Sequence, residues 1–163
     1  NLSKVSLESY HNEIYSYFFE DSPSIRPTIS IFPTWGVFKE NLDEDWLKII
    51  QQLRKSYPNH RIQIKFHPGV QDKYIEEIFI KISKKVSDIK ILSRNTPAFK
   101  MLIDSSIIIG DTTTVLWFAT FYKNKKVFSL DVFNFFDGDC LKLYSDKLYY
   151  INDISKLSLI NDS

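Results

Sequence analysis

Short apolar runs alternate along this chain with longer segments whose apolar residues recur at helical spacing, and that alternation restricts the fold more than any other feature. The runs are TISIF at 28–32, RIQIKF at 61–66, DIKILS at 88–93, SSIIIG at 105–110 and KKVFSLD at 125–131. Between them lie DEDWLKIIQQLRKSYP, QDKYIEEIFIKISKKV, TPAFKMLID and TTTVLWFATFYK. The first of these segments is acidic at its start and basic at its end, which suits the helix macrodipole, and Pro58 stops it. The third reads as a short helix with Thr96 as cap and Pro97 at its first position. In the fourth, Thr112, Thr113 and Thr114 fall at the cap and first turn of a buried helix.

A strand–helix alternation of this kind builds a parallel sheet covered by helices on both faces. The expected class is α/β, a three-layer Rossmann-like domain over residues 28–163. About five or six strands make an ordinary sheet. Residues 1–27 precede it as an amphipathic helix, Leu7 to Phe19, and a linker containing Pro23 and Pro27. After Val132 the pattern weakens to a short helix, a strand at Lys147 to Tyr150 and a last helix near Asp153 to Leu159.

Composition narrows the functional classes. Twenty-one Lys and Arg nearly cancel 20 Asp and Glu, so no global field draws the chain to nucleic acid. A lone Cys140 forms no intramolecular disulfide and fits a reducing compartment. With no adjacent base or elbow sequence, it is not a nucleophile either. No apolar stretch reaches the ~20 residues of a membrane-spanning helix. The sequence shows no Walker loop, no GxGxxG, no Ser–His–Asp order and no metal-ligand spacing, so no cofactor or metal is expected.

Ligands of parallel α/β sheets sit beyond the carboxyl ends of the strands. The segments directly after each run are therefore the candidate site. Asp111 and the three threonines follow the fourth run, where helix-start N–H groups and hydroxyls can seat a phosphate; capping of the helix is the competing reading. His67, with Pro68 and Gly69 turning the chain after it, can donate to a phosphate oxygen or act as acid or base; a turn histidine bonded to a carbonyl is the alternative. Lys65 lies two residues back on the same strand face, though inside the sheet, and reads as a strand residue near an edge rather than a ligand. Thr34 and Trp35 follow the first run, and the indole either stacks on a base or sugar or covers the sheet end. Asp131 closes the fifth run, where its carboxylate can accept from ribose or sugar hydroxyls or cap the next helix.

Taken in order, a strand ending PTW, a K-x-HP about 30 residues later, an Asp with small hydroxyl residues after an apolar strand, and K-x-VFSLD resemble the C-terminal half of GT-B glycosyltransferases. The closest resemblance is to the CDP-glycerol glycerophosphotransferase family of teichoic-acid primases and polymerases, with its capsule-polymerase relatives. Bacterial sialyltransferases and polysialyltransferases are the rival. The family's Asp–aromatic–Ser–Ser element is here Asp111, Thr112, Thr113, Thr114, without the aromatic.

The resemblance implies a donor-nucleotide domain that binds a CDP- or CMP-linked donor. His67 and Thr112 to Thr114 would hold the phosphates, with a sugar, polyol phosphate or sialic acid passing to a bacterial surface polysaccharide. It further implies a second Rossmann-like domain N-terminal to this segment that carries the acceptor site and general base, and a cytoplasmic place at or near the inner face of the plasma membrane. The opening Asn1 and the helix–linker start lead to the expectation of an excised C-terminal domain; a stand-alone nucleotide- or glycan-binding module is the alternative.

Overall fold

The computed structural model describes residues 26–33, 41–68, 73–110, 113–122, 125–130 and 148–151. They form six strands and four helices in the order β1 (Thr28–Phe32), α1 (Leu42–Ser56), β2 (Arg61–Ile64), α2 (Lys73–Lys85), β3 (Ile89–Ile91), α3 (Ala98–Asp104), β4 (Ile107–Gly110), α4 (Thr114–Ala119), β5 (Lys126–Leu130) and β6 (Leu148–Ile151). The expected helix at Leu7 to Phe19 and the helices of the tail lie outside the described residues.

Every strand pairing is parallel, and the sheet order is β3-β2-β1-β4-β5-β6. This is the doubly wound Rossmann order, and it differs from the flavodoxin-like 2-1-3-4-5 order. The register pairs Ile31 with Ile64 on one side of β1 and with Ile109 on the other. β1 and β4 are neighbours in space, although Ile29 pairs with Ile107 across two intervening strands of sequence.

Alternation along each strand sorts the core into two layers. Ile29 and Ile31 of β1, Ile62 and Ile64 of β2, and Ile107 and Ile109 of β4 pack with α1 and α2. Phe32, Ile108 and Val127 face the other way and pack with α3 and α4. Helix α1 shows the pattern clearly: Leu42, Trp46, Ile49, Ile50 and Leu53 are all buried along one stripe. Each side chain of that kind contributes about 1.5–3 kcal/mol when fully removed from water. The helix ends at Tyr57, whose N–H donates to Leu53 O at 2.8 Å, because Pro58 has no N–H to continue the ladder.

On the α3 side of the sheet, Ser30 of β1 and Gln63 of β2 form a polar patch beside the apolar Phe32. Gln63 Nε2 donates to Ser30 Oγ at 2.7 Å, Ser30 Oγ and Ser105 Oγ share a hydrogen bond, and Ser105 Oγ donates to Met101 O at 2.6 Å. All three side chains are buried, so each needs these partners.

Two local expectations are corrected. Thr96 does not cap α3: Pro97 occupies the N-cap in an extended conformation, φ −61° and ψ 134°, and the helix begins at Ala98. Helix α4 is short and one-sided rather than buried all round. Leu116 and Ala119 face the sheet, whereas Phe118 is 41% exposed.

Candidate functional site

The strand order reverses between β1 and β4, where chain segments leave to opposite faces and open a crevice at the carboxyl ends. A cavity of about 430 Å³ occupies this place. Its walls come from the ends of β1 (Phe32, Pro33), the segment after β2 (Lys65 to Pro68), the segment after β3 (Arg94 to Ala98) and the start of α4 (Thr113 to Val115). His67 and the pair Thr113 and Thr114, separated by more than 40 residues of sequence, thus line one cavity.

Of the sequence-derived candidates, the structure describes His67, Pro68, Thr113 and Thr114 at this cavity. Thr34, Trp35, Gly69, Asp111, Thr112 and Asp131 lie outside the described residues. His67 and Pro68 are exposed at the cavity mouth. Thr113 is buried and is the N-cap of α4, its Oγ1 accepting from Val115 N at 3.3 Å. Capping therefore occupies one acceptor position of Thr113, while the exposed Thr114 begins the helix with its side chain at the cavity.

Gly110 sets how closely this helix start approaches the sheet. A Cβ there would stand 2.9 Å from Thr113 Cγ2, 3.1 Å from Phe32 O and 3.3 Å from Leu116 Cδ2. Only a residue without a side chain lets β1, β4 and α4 come together at this point.

Two cations of the cavity have no assigned role in the sequence reading. Arg94 follows β3 and ties three elements together. Its Nη1 donates to His67 O at 3.0 Å, its Nη2 pairs with Glu76 of α2, and its guanidinium carbon lies 6.0 Å from the centre of the Phe66 ring. It thereby fixes the backbone that presents the imidazole.

Lys65 is the second cation. It was expected inside the sheet but near an edge; β2 lies between β3 and β1, so Lys65, one residue past the end of β2, is flanked on both sides and is only 7% exposed. Its backbone N–H continues the ladder to Ile31 O at 3.1 Å, and its ammonium donates at 3.4 Å to Phe66 O. Burial lowers its pKa from the ordinary 10.5, and the positive charge of Arg94 lowers it further. The signal for Lys65 was present in RIQIKF. Its alternate positions Arg61, Gln63 and Lys65 are all polar, so one face of an interior strand had to be polar.

No protein-family model matches the chain, and no curated protein matches it. Among solved structures, Escherichia coli heptosyltransferase WaaC with ADP-2-deoxy-2-fluoro heptose is similar, with a TM-score of 0.56 at 15% sequence identity. The match covers 88% of this chain and 44% of the heptosyltransferase, so the chain spans less than half of that protein's length. The likeness at this identity is one of fold: a Rossmann-like α/β domain of the kind found in a GT-B glycosyltransferase.

Proposed function

We propose that this chain is the donor-nucleotide-binding domain of a GT-B-type transferase, and that the cavity between β1 and β4 takes the phosphates of a nucleotide-activated sugar or polyol. The observation that carries the reading is the convergence of His67, Thr113 and Thr114 on one cavity at the point where the strand order reverses. Lys65 and Arg94 give that cavity positive charge. Chemically, an imidazole, hydroxyls and two cations suit a leaving nucleotide that gains negative charge as the glycosidic or phosphoester bond breaks.

In the finer reading the donor is cytidine-linked and the product a teichoic-acid- or capsule-type polymer, on the strength of the ordered PTW, K-x-HP and Asp–Thr–Thr–Thr elements. An N-terminal partner domain supplies the acceptor site and the general base, and the reaction takes place in the cytoplasm at the membrane face. The heptosyltransferase with its ADP-linked sugar analogue makes adenosine a base to include in the test.

Calorimetric titration with CDP, CMP, UDP, GDP and ADP tests the reading. Binding of at least one is expected, and absence of heat from all of them at millimolar concentration ends it. His67→Ala and Thr114→Ala should each weaken binding with the melting temperature nearly unchanged, because both side chains are exposed and neither caps the helix. A variant that chiefly unfolds the domain would mark its residue as structural.

A further inference from the structure

The charge pattern inside the cavity distinguishes one phosphate from two. Among the described residues, no carboxylate pairs with Lys65, although its side chain is more than nine-tenths buried and lines the cavity. The polar cluster beside it, Ser30, Gln63 and Ser105, closes on itself and carries no charge. Glu76, the carboxylate facing the other cation, is engaged by Arg94. Among the described residues, Lys65 and Arg94 line the cavity and the carboxylate of Glu76 pairs with Arg94. A buried ammonium whose acceptor among the described residues is a carbonyl at 3.4 Å is costly unless a further partner completes it.

Position adds to charge. Phe66 belongs to the α1–α2 core cluster, and Lys65 and His67 on either side of it both line the cavity. Residues two apart on extended backbone are separated by roughly 6–7 Å. Two donors at successive same-face positions on one cavity wall can each engage a different phosphate of a diphosphate.

We propose that Lys65 is a specificity-determining residue, whose ammonium binds the second phosphate of a nucleoside diphosphate, so that the cavity takes diphosphate-linked rather than monophosphate-linked donors. The inference rests on the donor-site reading above and deepens it: it selects the CDP-type donor over the CMP-type one.

The test measures binding of inorganic pyrophosphate, inorganic phosphate, CDP, CMP, ADP and AMP to the wild-type chain and to Lys65→Met. Wild type should prefer each diphosphate to its monophosphate. Lys65→Met should weaken diphosphate binding by about tenfold or more, the scale of one charge-assisted hydrogen bond, and monophosphate binding far less. Lys65→Gln provides a second neutral variant should Met pack poorly, and Lys65→Arg should retain part of the preference. Equal losses for mono- and diphosphates, or no loss, would overturn the inference while leaving the donor site standing. Lys65-dependent binding of pyrophosphate without binding of any nucleotide would sustain the inference and remove the donor reading. Silence from every probe would remove both.

Discussion

Gly110→Ala is the substitution whose cost can be worked most directly from the geometry. The new methyl would meet Thr113 Cγ2 at 2.9 Å and Phe32 O at 3.1 Å. The carbonyl belongs to the paired strand, since Phe32 and Gly110 are register partners, so it yields only if β1 and β4 separate. The threonine methyl yields only by rotation about χ1, which removes the Oγ1 acceptor from Val115 N. Overpacking of this kind costs about 1–3 kcal/mol, and loss of an N-cap about 0.5–2 kcal/mol. The variant should therefore unfold at lower urea with an unchanged m-value, the shift corresponding to about 1–3 kcal/mol.

A second substitution makes the argument specific. Thr113→Ser keeps the capping oxygen and deletes the methyl in conflict, so the double variant should recover part of the loss. The expected coupling is about 0.5–2 kcal/mol, within the range for residues in contact. The contact with Phe32 O persists, so recovery should be incomplete. Gly110→Ala at wild-type stability, or a double variant that shows no coupling, would refute the claim that this approach is sterically set.

Two more outcomes follow from the cavity's cations. The folded pKa of Lys65 is lowered, so between it and the ordinary value of 10.5 the unfolded chain holds more protons than the folded one. Stability contributed by this group accordingly rises as pH climbs through the folded pKa and levels off towards 10.5. His67 and Arg94 line the same cavity as Lys65, and Glu76 pairs with Arg94. Urea titrations of wild type and Lys65→Met from about pH 7 to about pH 10 should therefore converge towards the alkaline end, with Lys65→Met the more stable at neutral pH; parallel curves would contradict the burial of a charge that no described carboxylate pairs. Arg94→Ala should cost no more than about 1 kcal/mol of stability, because its ion pair with Glu76 is partly exposed, yet should loosen His67 and weaken nucleotide binding; calorimetry that shows unchanged affinity would remove the positioning role.

Much of this fold could be read from the chain because the strands are short, apolar and separated by strongly periodic helices. β1 falls at its expected residues, Thr28 to Phe32; β2, β4 and β5 fall within their expected segments, each two residues shorter, β3 is three residues shorter, and β6 is shifted by one residue to Leu148–Ile151. The error at α3 came from ordinary capping chemistry. Thr96 followed by Pro97 looks like a cap and first turn, but the proline adopts extended backbone and the helix starts after it. The burial of α4 was overstated because Val115 to Tyr122 is apolar or aromatic at nearly every position, while a helix of six residues has only one face against the sheet.

Of the candidate site, the shared position of His67, Thr113 and Thr114 was legible, because each follows a strand end and the sheet's switch point joins them. Arg94 was not legible, since its role depends on reaching Glu76 and the His67 carbonyl from another strand. Lys65 was misplaced because strand order decides whether β2 is an edge, and local pattern carries no strand order.

The pairing of β1 with β4 has a kinetic consequence. Ile29 meets Ile107 only after two complete strand–helix units have been bypassed, so this closure carries a large loop entropy. Contacts so distant along the chain delay folding, and the crevice comes into being only with them. Occupancy by an anion would then act as a late latch, absent from partly assembled chains and slowing the unfolding of finished ones.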